Sequence, residues 1–253
     1  MSRLNSLAAD LVRSNVTALF TVTGTVAALA AKAATDSIPI VFVTGGDPVK
    51  AGLVASLSRP GGNITGINVI AGALNEKRLE VLREVVPKAA LIAAVHNPSN
   101  PNHGPEVRSL DRATRAIGLQ LRPYEASNAQ KIEMAYAVLA ADRPDGLIIF
   151  TDPLFNERVE QFVKLSAQYA VPTIYGYREF AAAGGLMSYG TSQRDARRQA
   201  GILVARILQG EKPHELPVQR STRVELAINL KTAKTFGITF PLALLARADE
   251  VIE

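Results

Sequence analysis

Asp47 and Asp152 each precede a proline just beyond an apolar run, in "VFVTGGDPVK" and "GLIIFTDPLF". A carboxylate so placed can cap the helix that the proline begins, or meet a ligand ammonium through a charge-assisted hydrogen bond. Asp152 is the stronger recognition candidate, because "GLIIF" reads as a buried strand that aims it at a cleft. Small, polar or turn-forming residues also follow the other apolar runs: Thr23-Gly24-Thr25, Gly45-Gly46, the Asn97 to Asn102 loop, and Gly176-Tyr177. In an open α/β sheet these positions face the ligand, with glycine admitting close backbone approach and Asp or Asn supplying fixed acceptors and donors. Four aromatics, Tyr175, Tyr177, Phe180 and Tyr189, gather in "YGYREFAAAGGLMSY", where they serve either as core packing or as an aromatic wall of the same cleft.

Other chemistries lack their residues. Gly45 and Gly46 lead to Asp47-Pro48-Val49-Lys50-Ala51, which breaks the phosphate-binding G-x-x-x-x-G-K-[ST] pattern, and no G-x-G-x-x-G follows a strand. His96, His103 and His214 form neither H-x-x-x-H nor H-E-x-x-H, there is no cysteine, and no G-x-S-x-G marks a nucleophile. The paired acids Asp249 and Glu250 lie in the tail, where a solvated face explains them. The expectation is a protein that binds without catalysing, with no cofactor and no metal. The net charge of +5, from 28 basic and 23 acidic residues spread without a run of three, argues against a nucleic-acid surface.

These loops need a scaffold. At 253 residues and 47% hydrophobic content the chain can bury a full core. Short β-rich runs at 18–22, 39–43, 64–69, 91–96, 119–124, 146–150, 172–175 and 186–189 alternate with helical stretches such as 76–85, 129–140, 157–169 and 194–208. That alternation predicts an α/β protein with parallel sheets flanked by helices. The rhythm breaks near Ala71 to Asn75 and again at about Gly210, so two sheets fit better than one of ten strands. The uncharged stretch "SNVTALFTVTGTVAALAA" parses as strand, glycine turn and Ala-rich helix rather than as a membrane span or leader, since threonines interrupt it.

The segments "LAADLVRSNVTALFTVTGTVAALAAKAATDSIPIVFVTGGDPVKAGLVASLSRPGGNITGI", "KRLEVLREVVPKAALIAAVHNPSNPN", "DGLIIFTDPLF", "VPTIYGYREFAAAGGLMSYG" and "LAINLKTAKTFGITFP" together resemble the substrate-binding proteins of ABC importers, in the branch of tryptophan- and tyrosine-linked binding proteins. The resemblance implies a two-lobed type I periplasmic binding fold that closes on a small solute, an amino acid, aromatic or otherwise, and delivers it to a membrane permease. The lobes implied are 1–72 with a return at 191–216, and 73–190 completed by 217–253. Carried over by position, Thr23, Gly24, Thr25 and Asp47 of the first lobe and Asn97, Asp152 and Tyr175 of the second would line the site. The family pattern places a strand, a helix and another strand before the helix matching "LNSLAADLV", where this chain starts. The first lobe is therefore expected to be incomplete, with an open edge at 18–22 through which copies could self-associate. The compartment implied is periplasmic or otherwise extracytoplasmic, and cytoplasmic if Met1 is the true start. Two other functions share such a fold: a regulator's effector domain, for which no helix-turn-helix precedes Leu4, and an α/β enzyme acting on a sugar or nucleotide.

Overall fold

The computed structural model describes residues 2–22, 24–69 and 74–253. In chain order the elements are α1 (Ser2–Arg13), β1 (Leu19–Thr21), α2 (Thr25–Ala34), β2 (Ile40–Thr44), β3 (Ile64–Val69), α3 (Asn75–Val85), β4 (Leu91–His96), α4 (His103–Ala116), β5 (Gln120–Glu125), α5 (Ala129–Asp142) and β6 (Gly146–Ile149). There follow α6 (Pro153–Asn156), α7 (Val159–Gln168), β7 (Thr173–Tyr175), α8 (Arg178–Ala182), β8 (Met187–Thr191), α9 (Gln193–Leu208), β9 (Gln219–Ser221), β10 (Val224–Asn229), α10 (Leu230–Phe236), α11 (Leu242–Leu245) and β11 (Glu250–Ile252). The chain divides into two compact units, residues 1–70 with 192–223, and residues 71–191 with 224–253. It re-enters the second unit after Arg223 rather than after residue 216, because β9 pairs with β3 and so extends the first unit.

The first unit holds a parallel sheet in the order β1-β2-β3-β9. Every residue of β2, "IVFVT", is buried, as a strand covered on both faces requires. Ile40, Phe42 and Ile64 meet Ala28 and Ala31 of α2 on one face, while Val41, Val43 and Ile67 meet Ala196, Ala200 and Leu203 of α9 on the other. This is the two-residue alternation of a strand laid between two helices, and each fully buried Ile or Phe contributes about 1.5–3 kcal/mol. Gly66 lies beside Phe42 on β2; a Cβ there would sit 2.2 Å from the Phe42 carbonyl oxygen, so the close approach of these strands excludes a side chain.

In the second unit the sheet order is β11-β10-β8-β7-β6-β4-β5. Ile92, Ala94, Ile148, Phe150 and Ile174 turn toward Leu79, Leu82 and Leu110, whereas Ala93, Val95, Leu147, Ile149 and Tyr175 turn toward Ile132, Tyr136, Phe155 and Phe162. One pair departs from the expected parallel arrangement: β8 and β10 are antiparallel. The reason is topological. β8 leaves this unit at Thr191 and β10 enters beside it at Val224, so two strands that share the crossing end must run in opposite directions.

Candidate functional site

In the second unit the carboxyl ends of β4, β6, β7 and β8 carry the polar loops. Asp152 follows β6 in extended backbone and caps α6, its Oδ1 accepting from the Leu154 N–H at 2.9 Å, with Pro153 at the first helical position. The same carboxylate accepts from Asn97 Nδ2 at 3.2 Å and from Asn100 Nδ2 at 2.8 Å. Asp152 is only 3% exposed, and besides capping α6 its carboxylate is a hub that ties the β4–α4 loop to the end of β6. Asn97 and Asn100 are half-buried and present the more accessible face of that hub.

His103 locks the same loop from inside. Its Nδ1 accepts from the Asn97 N–H at 3.0 Å, so the proton sits on Nε2, which donates to the Thr151 carbonyl at 3.1 Å. Burial holds this imidazole below its usual pKa even though an Asp152 oxygen lies 4.0 Å away, and burial likewise lowers His96. Desolvation outweighs the carboxylate here because protonation would also set a second N–H against that of Asn97.

A second polar group lies beneath the β7 and β8 ends. Arg78 of α3 is fully buried; its Nε donates to the Tyr189 carbonyl at 2.7 Å and its Nη1 to Asn75 Oδ1. Asn75 Nδ2 in turn donates to Glu106 Oε2 at 3.1 Å. Arg78 Nη2 has no hydrogen-bond partner among the described residues. Burial pushes the guanidinium down to about 10, which leaves it charged near neutrality, and pushes the Glu106 carboxyl up to about 7 against the opposing pull of Arg78 and Asn75. The backbone makes room for this cation: a Cβ on Gly190 would sit 1.9 Å from the Gly176 carbonyl oxygen and 3.2 Å from Arg78 Nη2.

The remaining residues expected from sequence fall in three places. In the first unit, Gly24 has φ 91°, a conformation suited to glycine, and Thr25 Oγ1 lies 2.6 Å from Thr44 Oγ1. Asp47 is exposed and caps its own turn, accepting from the N–H groups of Val49 and Lys50 at 3.0 and 3.1 Å. Thr23 lies outside the described residues. Tyr175 is not brought to the loops: it is fully buried, donates to Ser166 Oγ at 2.8 Å and stacks on Phe180 with ring centroids 4.7 Å apart. Of the aromatic group, Tyr175, Tyr177 and Phe180 belong to one buried core cluster and Tyr189 packs, partly buried, against the other, while Tyr177 and Tyr189 also lie near the Arg78 guanidinium.

Sequence reasoning passed over Asn75, Arg78 and Glu106, and weighed His103 only as a metal ligand. A signal for Arg78 existed, since Asn75, Arg78, Leu82 and Val85 recur at helical spacing on the buried face of α3. A charge in line with leucine and valine on such a stripe marks an internal polar site.

The titrations act in opposite directions. Above the unfolded imidazole value of about 6.5, the neutral histidines cost nothing; as pH falls below it toward their lowered folded values, stability is lost. Glu106, raised from 4.5 to about 7, contributes stability that is complete below 4.5 and is lost as pH rises through about 7. Glu106→Gln is therefore expected to gain on the parent by about 1–3 kcal/mol between about pH 5 and pH 8. All six tyrosines belong to the second unit and the chain has no tryptophan, so urea unfolding followed by tyrosine emission reads this unit alone. Parallel pH profiles for the two proteins would contradict the assignment.

A family model for ABC transporter substrate binding proteins matches residues 3–252. The chain belongs to that family. This substrate-binding protein is 28% identical over 238 residues to the tyrosine-binding protein of Clostridioides difficile strain R20291, covering 94% of this chain and 68% of that protein. A crystal structure of an ABC domain in complex with L-Trp from Streptococcus pneumonia is 25% identical with a TM-score of 0.87, covering 99% of this chain and 86% of the other. An ABC transporter solute-binding protein from Agrobacterium vitis with bound D-fucose shares the fold alone, at 15% identity and a TM-score of 0.60, covering 88% of this chain and 78% of the other. The fold is that of type I periplasmic binding proteins. The protein is thus the solute-binding component of an ABC transporter, of a family that binds substrate rather than transforming it, with a solute and a membrane permease as its partners. Among the described residues no helix is long and apolar enough to cross a membrane.

Proposed function

We propose that this substrate-binding protein captures an aromatic L-amino acid outside the cytoplasmic membrane, in the periplasm, and hands it to the permease of its importer. The observation that carries this reading is the kinship along nearly the whole chain with a protein named for tyrosine and with a structure holding L-Trp, whereas the D-fucose-bearing neighbour shares only the fold. The strand-end cluster of the second unit is its solute-facing surface, with Asn97 and Asn100 oriented by Asp152. Gly24, Thr25 and Asp47 form the corresponding loop surface of the first unit, and Tyr175 supports β7 from the core.

Titration calorimetry of the protein against L-tryptophan, L-tyrosine, D-fucose and D-arabinose tests this. Binding of at least one of the amino acids, and neither sugar, is the expected result. Heat from a sugar alone would overturn the assignment.

A second copy of the chain is proposed as a further partner, at the open side of β1. Among the described residues β1 has β2 as its one strand neighbour. Leu19 N–H donates to the Pro39 carbonyl, which turns the peptide groups of Phe20 away from β2. Leu7, Leu11, Phe20, Val22, Val26 and Leu29 are each 38–49% exposed around this strand and its two helices. No charged residue occurs from Ser14 to Ala31, so two such edges can meet about a two-fold axis without like-charge repulsion, and none of the usual edge-blocking lysines or prolines intervenes.

A further inference from the structure

Glu106 is half-buried in the first turns of α4, and Asn75 is the side chain that holds it, through Oε2. The amide of Asn75 is fixed from its other end by Arg78, so its orientation toward Glu106 is set by a fully buried cation. Arg78 itself makes no ion pair with Glu106 among the described residues; its charge stands one amide away. The carboxylate therefore lies in a partly desolvated place where, among the described residues, one neutral side-chain donor and no cation contact it. Such a group is costly in its charged form until a cation arrives. Arg78 Nη2, buried and without a hydrogen-bond partner among the described residues, is an independent sign that these described groups do not by themselves close the polar cluster.

We propose that Glu106 is the acceptor for the α-ammonium group of the solute, which makes it the residue that selects a free amino acid over N-blocked or deaminated analogues. This rests on the reading of the protein as an amino-acid-binding component. A primary ammonium on the solute would complete what the neighbours leave unmet: Arg78 acts on Glu106 only from across Asn75, with its Nε on Tyr189 and its Nη1 on Asn75, and His103, kept neutral, is bound to Asn97 and Thr151. The other charged groups facing this turn are Asp152, which disfavours a second negative charge at Glu106, and Glu76 on α3, which is held by Ser109. A bound ammonium would relieve both the burial of Glu106 and its repulsion from Asp152. Affinity then follows the ionisation of Glu106, rising with pH on the acid side of about 7.

The test uses the full chain and calorimetry with L-tryptophan, L-tyrosine, N-acetyl-L-tryptophan and indole-3-propionate. For the parent protein, the two analogues lacking a free ammonium are expected to bind about 10- to 100-fold more weakly than L-tryptophan, the loss typical of a charge-assisted contact. Glu106→Gln should lose a similar factor for L-tryptophan, bring the amino acid and its N-acetyl form close together, and abolish the roughly tenfold rise in affinity expected between about pH 5.5 and about pH 8 in the parent. Tyrosine emission on the same sample reports whether the variant is folded. If the parent binds L-tryptophan and N-acetyl-L-tryptophan equally, or if Glu106→Gln keeps the parent's affinity and pH profile, the role of Glu106 is refuted while the amino-acid reading stands. If the parent binds neither amino acid, that reading itself falls and this inference with it.

Discussion

Replacing Arg78 by alanine is expected to cost the second unit about 3–4 kcal/mol, the balance of three effects of comparable size. The aliphatic stem is fully buried, so its loss leaves a cavity, and large-to-small changes of this kind cost about 2–5 kcal/mol. The Tyr189 carbonyl and Asn75 Oδ1 each lose a charged donor, at about 1–3 kcal/mol for a buried acceptor left without one. Against these, removing a cation whose burial lowers its pKa to about 10 recovers part of its desolvation cost. Cavity and lost donors together outweigh that recovery. Arg78→Met should separate them, because it refills the space while leaving the acceptors unmet, and about half of the loss should return. Urea midpoints from tyrosine emission read the second unit for both variants. A parent-like midpoint for Arg78→Ala would mean that the buried cation is tolerated rather than needed.

The amides of β1 should exchange with solvent at least about a hundredfold faster than those of β4 and β6, since edge strands open locally at far less cost than central ones. β4 and β6 pair on both sides, with β5 and β6 and with β4 and β7 respectively, and their residues are almost all buried. β1 has three residues and one strand neighbour among the described residues, and Phe20 is 46% exposed because α9 packs over β2 and β3. Pairing of two β1 edges would reverse that contrast with concentration: protection at Phe20 should grow as the protein is concentrated, in step with an increase in mass by light scattering. Strong protection of β1 in a dilute monomer would rule out both the open edge and the second copy as its partner. A charge placed on the edge, Phe20→Lys, should keep the protein monomeric and leave β4 protection unchanged.

Alternation of β-rich and helical runs was enough to indicate α/β structure and two sheets, because the two-residue and 3.6-residue periods are local properties of the chain. The loops at Asn97 to Asn102 and at Asp152 were legible for the same reason: turn-forming residues after an apolar strand sit at the strand's carboxyl end. The antiparallel β8–β10 pair was not legible, since it depends on where the chain crosses between units at Thr191 and Arg223, a matter of topology. Tyr175 illustrates a second limit. A single position at the end of a strand can face either side of the sheet, and the pleat of β7 turned this ring toward Phe180 and Ser166 instead of the loops. The hydrogen-bond partners of Asp152, Arg78 and Glu106 were set only by tertiary structure. Hydrogen-bond capacity is written in a residue's type, but which donors reach it depends on segments 55 residues apart for Asn97 and Asp152, and 111 apart for Arg78 and Tyr189. Charge at these positions was visible in the sequence, whereas burial, which sets what that charge costs and what it can bind, arises only when the helices and sheet close around it.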